Sequence, residues 1–284
     1  MFRRCDAPEN SRVKSLKVLL RTGLFIAMAG LGIGATAQAP APPLRIAAAA
    51  SMQPVLAELV PLFERERRAA SGATARPRLT LGSSANLARQ IQQGLPVELF
   101  MSADEAFVFR LADAGLTAGR GVIYATGRLV LLVPAGSSLP LDPQMAGLKS
   151  ALADVQKFAI ANPELAPYGR AAREALQKLA LWNTLQERLV LGDNIAQATQ
   201  FVSAGAAQAG VTALSMVVAP EVAQRVRYVL LPDSLHAPIR QRMVLLKNAS
   251  PQAQAFYDFL QSPPAQAVLA KHGFQVQCLY EFLN

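Results

Sequence analysis

The sequence predicts an α/β protein built as two lobes with a ligand cleft between them. Short, wholly apolar runs alternate along the chain with stretches of helical period, the pattern of buried strands in a parallel sheet crossed by helices. The alternations fall into two groups, and the C-terminal part is free to rejoin the first. At 284 residues and 52% hydrophobic, the chain is long and apolar enough for two cores. Only 17% of its residues are charged, which excludes a disordered or fibrous chain.

Taken in order, 44–48 is apolar and reads as a strand. Residues 54–68 carry apolar side chains at 55, 56, 59, 60, 62 and 63, which suits a helix. Residues 78–81 are strand-like, 85–93 form a helix closed by Gly94, 97–101 a strand, and 104–114 a helix closed by Gly115. In the second group 129–134, 158–161, 189–191 and 210–214 read as strands, with helices over 170–179 and 195–204. A last strand begins at 243, and two helices near 251–261 and 263–271 finish the chain. The expected division is 44–124 plus 236–284 for the first lobe and 125–235 for the second.

The N-terminus stands apart. Arg3, Arg4, Arg12, Lys14, Lys17 and Arg21 precede an apolar run, which ends at the small residues Ala35-Thr36-Ala37. A basic segment, a short apolar segment and an A-x-A site are the three parts of a secretory signal. The apolar run is too short for a comfortable membrane span. We therefore read 1–37 as a signal peptide and 38–43 as a Pro-rich linker. Cleavage after Ala37 leaves 247 residues and lowers the net charge from +9 to +5. The remaining chain is only mildly basic and lacks a Lys/Arg stripe with interleaved aromatics, so nucleic acid is not an expected partner. Cys5 leaves with the signal and Cys278 remains alone, which excludes an internal disulfide. Two histidines in all give too few ligands for a structural zinc site, and there is no G-x-S-x-G elbow. No enzyme is indicated.

Four strand-to-helix turns hold the candidate site. Ser51 lies in Ala47-Ala-Ala-Ala-Ser51, ahead of Pro54. Ser83 and Ser84 follow Gly82, whose missing Cβ permits a close turn. Pro167-Tyr168-Gly169 leads into the third helix, and Asp193-Asn194-Ile195 into the fourth. A lone serine at such a place is more simply a helix cap. Four helix starts converging from two lobes would instead make an anion site of hydroxyls and free N–H groups. None of the four places a Lys or Arg at the contact positions. A carboxylate ligand would call for an arginine fork. A fully deprotonated tetrahedral dianion needs donors only, whereas hydrogen phosphate also needs an acceptor. Asp104 and Asp193 are the nearest acceptors and read as cap or loop carboxylates.

These residues resemble the periplasmic molybdate-binding proteins of ABC transporters. The matching stretches are Ala47 to Ser51, Gly82-Ser83-Ser84 with Leu87-Ala-Arg-Gln90, Leu99 to Asp104, Asn162-Pro163 with Pro167-Tyr168-Gly169, Asn194 to Ala198, and Lys271-His-Gly-Phe274. The resemblance implies a two-lobed type II periplasmic binding protein fold closing on molybdate or tungstate in the interlobe cleft. It implies contacts from the Ser51 and Ser84 hydroxyls, from Tyr168, and from the Ile195 N–H, with no direct metal-ion ligand and no cofactor. A tyrosine that some members carry on a later strand is replaced here by Ala213, and Tyr168 is expected to take over. The implied protein is a periplasmic monomer, exported by its signal, that hands its oxyanion to a membrane permease. A binder of sulfate or an organic anion is the alternative.

Overall fold

A computed structural model of the chain describes residues 42–71 and 76–276. The expected signal 1–37, most of the linker, Cys5 and Cys278 lie outside the described residues. The chain enters through β1 (Arg45–Ala49), whose alanines pack with no side chain larger than a methyl near the cleft. A single 310 turn, Ala50–Met52, leads into α1 (Gln53–Ser71). Then β2 (Arg78–Gly82), α2 (Ser84–Gln92), β3 (Leu99–Ser102) and α3 (Glu105–Asp113) repeat strand and helix. β4 (Val122–Gly127) and β5 (Leu129–Pro134) follow, with only Arg128 between them.

The second group continues through a short α4 (Ala146–Ser150), β6 (Phe158–Ala161), α5 (Pro167–Lys178) and a short α6 (Trp182–Leu185). β7 (Leu189–Gly192), α7 (Ile195–Ser203) and β8 (Ala209–Ala213) come next. The short α8 (Leu214–Val217) and α9 (Pro220–Ala223) lead to β9 (Val226–Leu230). The chain then returns as β10 (Ile239–Leu245), α10 (Pro251–Phe259) and α11 (Pro263–Lys271).

The strands form two five-stranded sheets, in the orders β2-β1-β3-β10-β4 and β7-β6-β8-β5-β9. The pairs β1–β2, β1–β3, β6–β7 and β6–β8 are parallel. β10 runs antiparallel to β3 and β4, and β5 antiparallel to β8 and β9. The sheets are therefore mixed, where the sequence pattern suggested wholly parallel ones. The reason is connectivity. A parallel neighbour needs a crossover helix over the sheet face, and β5 and β10 instead enter directly from the other sheet. β4 and β9 were missed by the pattern because both are edge strands with partly exposed residues, so neither shows a continuous apolar run. α5 starts at Pro167 rather than at 170, since proline is well suited to a first helical position.

Each sheet is covered on both faces. In the first, Leu56, Leu59 and Phe63 of α1 meet Phe256 and Phe259 of α10, with the Phe63 and Phe256 rings edge-on at 4.9 Å. Leu87, Val108 and Leu111 pack on the opposite face around Phe100. In the second, α5 buries Ala172, Ala175 and Leu176 against Phe158 and Ile160, and Val202 of α7 packs on the other side against Val130 and Leu132. Trp182 packs, partly buried, against the α5 side. These layers hold the ends of β1, β2, β6 and β7 in place, and the helices that follow those strands start at the cleft.

Candidate functional site

The four predicted turns meet at one small cavity. Its walls are Ala49 to Ser51 after β1, Gly82 to Ser84 after β2, Ala166 to Tyr168 before and in α5, and Asn194 and Ile195 at the start of α7, with Ala103 beside them. No charged side chain lines it. Ser51, Ser84, Tyr168 and Ile195 are thus brought together, all buried. Three contacts tie the sheets together here. The Ser215 hydroxyl donates to the Ser51 carbonyl at 2.9 Å, the Ala85 N–H to the Leu165 carbonyl at 3.2 Å, and the Gln241 amide to the Tyr168 hydroxyl at 2.7 Å.

The capping explanation for the serines does not hold. Ser51 sits inside the 310 turn, and neither that turn nor α2 has a side-chain cap. The Ser83 hydroxyl is buried without a hydrogen-bond partner, and that of Ser51 is buried with no well-formed one, the Tyr168 phenol lying beside it. An unpaired buried hydroxyl is costly, so two facing one cavity mark it as built for an acceptor. The Ser84 hydroxyl accepts from the Ala103 N–H at 3.0 Å, which orients its oxygen and leaves its proton to donate elsewhere. Of the helix starts that line the cavity, only that of α7 has a side-chain cap, Asn194, which accepts from the Ala196 and Gln197 N–H groups at 3.0 and 3.1 Å. The N–H of Ile195, at the first position of α7, has no partner within the helix. The starts of α2, α5 and α7 all face the cavity, so their dipoles favour negative charge there.

Tyr168 is fully buried, and that burial pushes its phenol well up, against smaller opposing effects of Ser51 and Gln241. Tyr124 is raised too, first by burial and then by Tyr168. Both phenols keep their protons at neutral pH. Tyr168 needs room at the end of β4, where a Cβ on Gly127 would overlap its hydroxyl. Gly82 needs no such explanation: a Cβ there would only touch Leu87 at 3.4 Å, so the expected close turn at Gly82 is corrected to ordinary strand backbone. Ala213, fully buried at the end of β8, lies in the same core cluster as Tyr168 and does not line the cavity.

Neither aspartate lines the cavity. Asp104 caps α3 through the Ala106 N–H at 2.5 Å and pairs with Arg170 of α5 across the cleft. Asp193 sits at the outer rim, its N–H bonded to Gln197 at 2.6 Å. Arg89 bonds Asn86 on its own helix, at the surface. Arg170 is half-exposed and spans the cleft. A wider groove, open to solvent, is lined by Asp104 and Arg170 together with Glu105, Glu174 and Arg240; its three carboxylates outnumber its two arginines, which makes it a poor host for a dianion. The sequence reading missed Ser83, Ser215 and Gln241. Ser83 was signalled only by its adjacency to Ser84. Gln241 carried no such signal: it stands between Arg240 and Arg242, ahead of the expected start of the last strand at 243, and only the structure puts it at an inward position of β10. Among the described residues no cluster of His, Cys, Asp or Glu could hold a metal ion, and no helix is long and apolar enough to cross a membrane.

Comparison with known proteins agrees with this geometry. The profile of the bacterial extracellular solute-binding protein family matches residues 44–275. A molybdate-binding protein ModA of Rhodobacter capsulatus is 37% identical over 196 residues, 68% of this chain and 75% of that one. The ModA of Azotobacter vinelandii is 35% identical over 254 residues, 87% of this chain and 95% of that one. The solved periplasmic molybdate-binding protein of Azotobacter vinelandii superposes with a TM-score of 0.74 at 29% identity, covering 83% of this chain and all of the other.

Proposed function

This chain belongs to the bacterial extracellular solute-binding proteins, and we propose that it captures molybdate, or tungstate, and delivers it to the permease of an ABC transporter. The observation that carries the reading is the small uncharged cavity, in which buried hydroxyls without well-formed hydrogen bonds face helix starts from the opposite sheet. A dianion held there meets preorganised dipoles in place of ion pairs. Relatives named for molybdate binding, at 35% and 37% identity, support the same ligand.

In this reading Ser51 and Ser84 take the anion first, on the side of the β1–β2 sheet. Closure brings Tyr168 and the Ile195 N–H from the β6–β7 sheet. The ligand selects the closed form because only that form supplies all the donors. The chain changes sheet at Arg128 and again over 231–238, and these two connections carry the motion between the lobes; Ala125 to Gly127, expected in the second lobe, stay with β4 in the first sheet. The closed monomer docks on a permease after export to the periplasm by the 1–37 signal. No bond is made or broken on the chain, which acts as a carrier and not as an enzyme.

The test is calorimetric titration of residues 38–284 with molybdate, tungstate, sulfate and phosphate. Tight binding of the first two with sulfate and phosphate silent is the expected result. Silence from molybdate and tungstate would reject the assignment and leave the ligand to be sought among other anions.

A further inference from the structure

Gln241 is a glutamine with no access to solvent, on a strand whose neighbouring inward positions are Ile239 and Met243. A buried amide in such a place is costly unless both of its ends are bonded. Here both are. Its oxygen accepts from the Tyr124 hydroxyl at 2.9 Å and its nitrogen donates to the Tyr168 hydroxyl at 2.7 Å. The β4–β10 register slips between Gln241 and Arg242, and bulges of this kind re-aim a side chain. Tyr124 and Gln241 lie on β4 and β10 of one sheet, while Tyr168 begins the helix that follows β6 of the other.

We propose that Gln241 is the positioning residue that fixes Tyr168 as a hydrogen-bond donor to the bound oxyanion, by occupying the acceptor side of its phenol. The proposal rests on the oxyanion reading of the cavity. The direction of the bonds makes the argument. Tyr124 donates to Gln241, and Gln241 donates to Tyr168. The phenol oxygen of Tyr168 therefore already accepts, and its own proton is left for the side of Ser51 and the cavity that both residues line. Three buried groups form a donor chain that ends on the anion, each bond polarising the next. Reversing the amide would draw the Tyr168 proton back onto Gln241 and present the anion with a lone pair instead.

The experiment is a double-mutant cycle on molybdate affinity, read by calorimetry on variants whose folding is checked by circular dichroism. Gln241→Leu is expected to weaken binding about three- to tenfold in the wild-type background. In a Tyr168→Phe background the same substitution should cost less than about twofold, because the proton it positions is gone. A merely structural role would cost the same in both backgrounds, and that result overturns the proposal, as does wild-type affinity in Gln241→Leu. Gln241→Glu supplies a second readout. Its carboxylate accepts the Tyr168 proton at pH 8 and weakens binding, while the buried carboxylic acid, protonated at pH 5.5, donates as the amide does and restores affinity. PH-independent binding by a folded Gln241→Glu variant also refutes the mechanism. If the folded wild-type protein ignores molybdate altogether, the oxyanion reading falls and this inference with it, a result distinct from a wild type that binds normally beside an unaffected Gln241→Leu.

Discussion

Replacing Ser51 by alanine separates what the residue does for folding from what it does for binding. Most buried hydroxyls serve the fold, and their loss costs stability. Ser51 has no accessible surface, and its oxygen makes no well-formed hydrogen bond, with only the Tyr168 phenol beside it, so its removal takes little from the fold. The ligand-free variant should melt close to the wild type. Binding should suffer, because a hydrogen bond to a charged acceptor contributes about 1.5–3 kcal/mol, or roughly ten- to a hundredfold in affinity. At a fixed ligand excess the stabilisation by ligand falls by the same free energy. For a chain of this size each kcal/mol moves the melting temperature by about 2–4 °C. The molybdate-induced rise in melting temperature should therefore shrink by about 3–12 °C, as read by differential scanning calorimetry with and without ligand. Two results would refute the reasoning. An undiminished shift means Ser51 does not touch the anion. A ligand-free melting point several degrees below wild type means the hydroxyl has a partner within the protein.

Three further substitutions probe the frame around the cavity. Arg170→Gln removes the ion pair with Asp104 across the cleft; because the arginine is half-exposed, affinity should fall by no more than about fivefold, and the difference from wild type should vanish at high salt. Gly127→Ala sets a methyl against the Tyr168 hydroxyl; overpacking of this kind costs about 1–3 kcal/mol and should lower both thermal stability and molybdate affinity, whereas unchanged affinity would show that Tyr168 has space to move. Glu98 accepts the N–H groups of Arg45 and Ser250 at 3.1 and 3.0 Å. Burial pushes its carboxyl up, but the Ser250 and Arg45 hydrogen bonds outweigh that and hold it below 4.5. A lowered carboxyl stabilises the fold fully above its unfolded pKa and loses that contribution as pH falls through the folded value. The melting-point gap between wild type and Glu98→Gln should thus be full at pH 7 and close as pH falls through the range of the lowered carboxyl; a gap that persists once that carboxyl is protonated would assign the effect to shape and not to charge.

Much of this arrangement was legible in the sequence because strand–turn–helix units announce themselves locally. The alanine run to Ser51, the paired serines before α2 and Pro167-Tyr168-Gly169 all fall where the structure puts cavity walls. Local pattern also located most strands, since a buried parallel strand is apolar throughout. What it could not supply was pairing between distant segments. β4 and β9 have mixed exposure and carry no clean period, and the direction of β5 and β10 depends on the passage between sheets. The site was legible to the same extent. Residues at helix starts could be named, but the failure of Ser51 and Ser83 to cap depends on backbone geometry that no spacing reveals. Gln241 lies 73 residues from the tyrosine it holds, and a lone glutamine in a strand points to no partner until the sheets are folded against each other.

The placement of the cleft-spanning bonds says how binding and closure are linked. Ser215 reaches the carbonyl of Ser51, Leu165 receives the N–H of Ala85 next to Ser84, and Gln241 holds Tyr168. Each joins one sheet to the other, and each ends on, or one to three residues from, a residue assigned to the anion. On the proposed assignment, the donors for the ligand are positioned by the same bonds that join the two sheets across the cleft. An anion that satisfies only the donors of one sheet leaves those of the other unused and gains nothing from closure. One that reaches all of them gains the second set at the moment the interlobe bonds form. Closure is favoured by full occupancy of the donor set and not by charge as such, which is why a cavity without a single cationic side chain can retain a doubly charged ion.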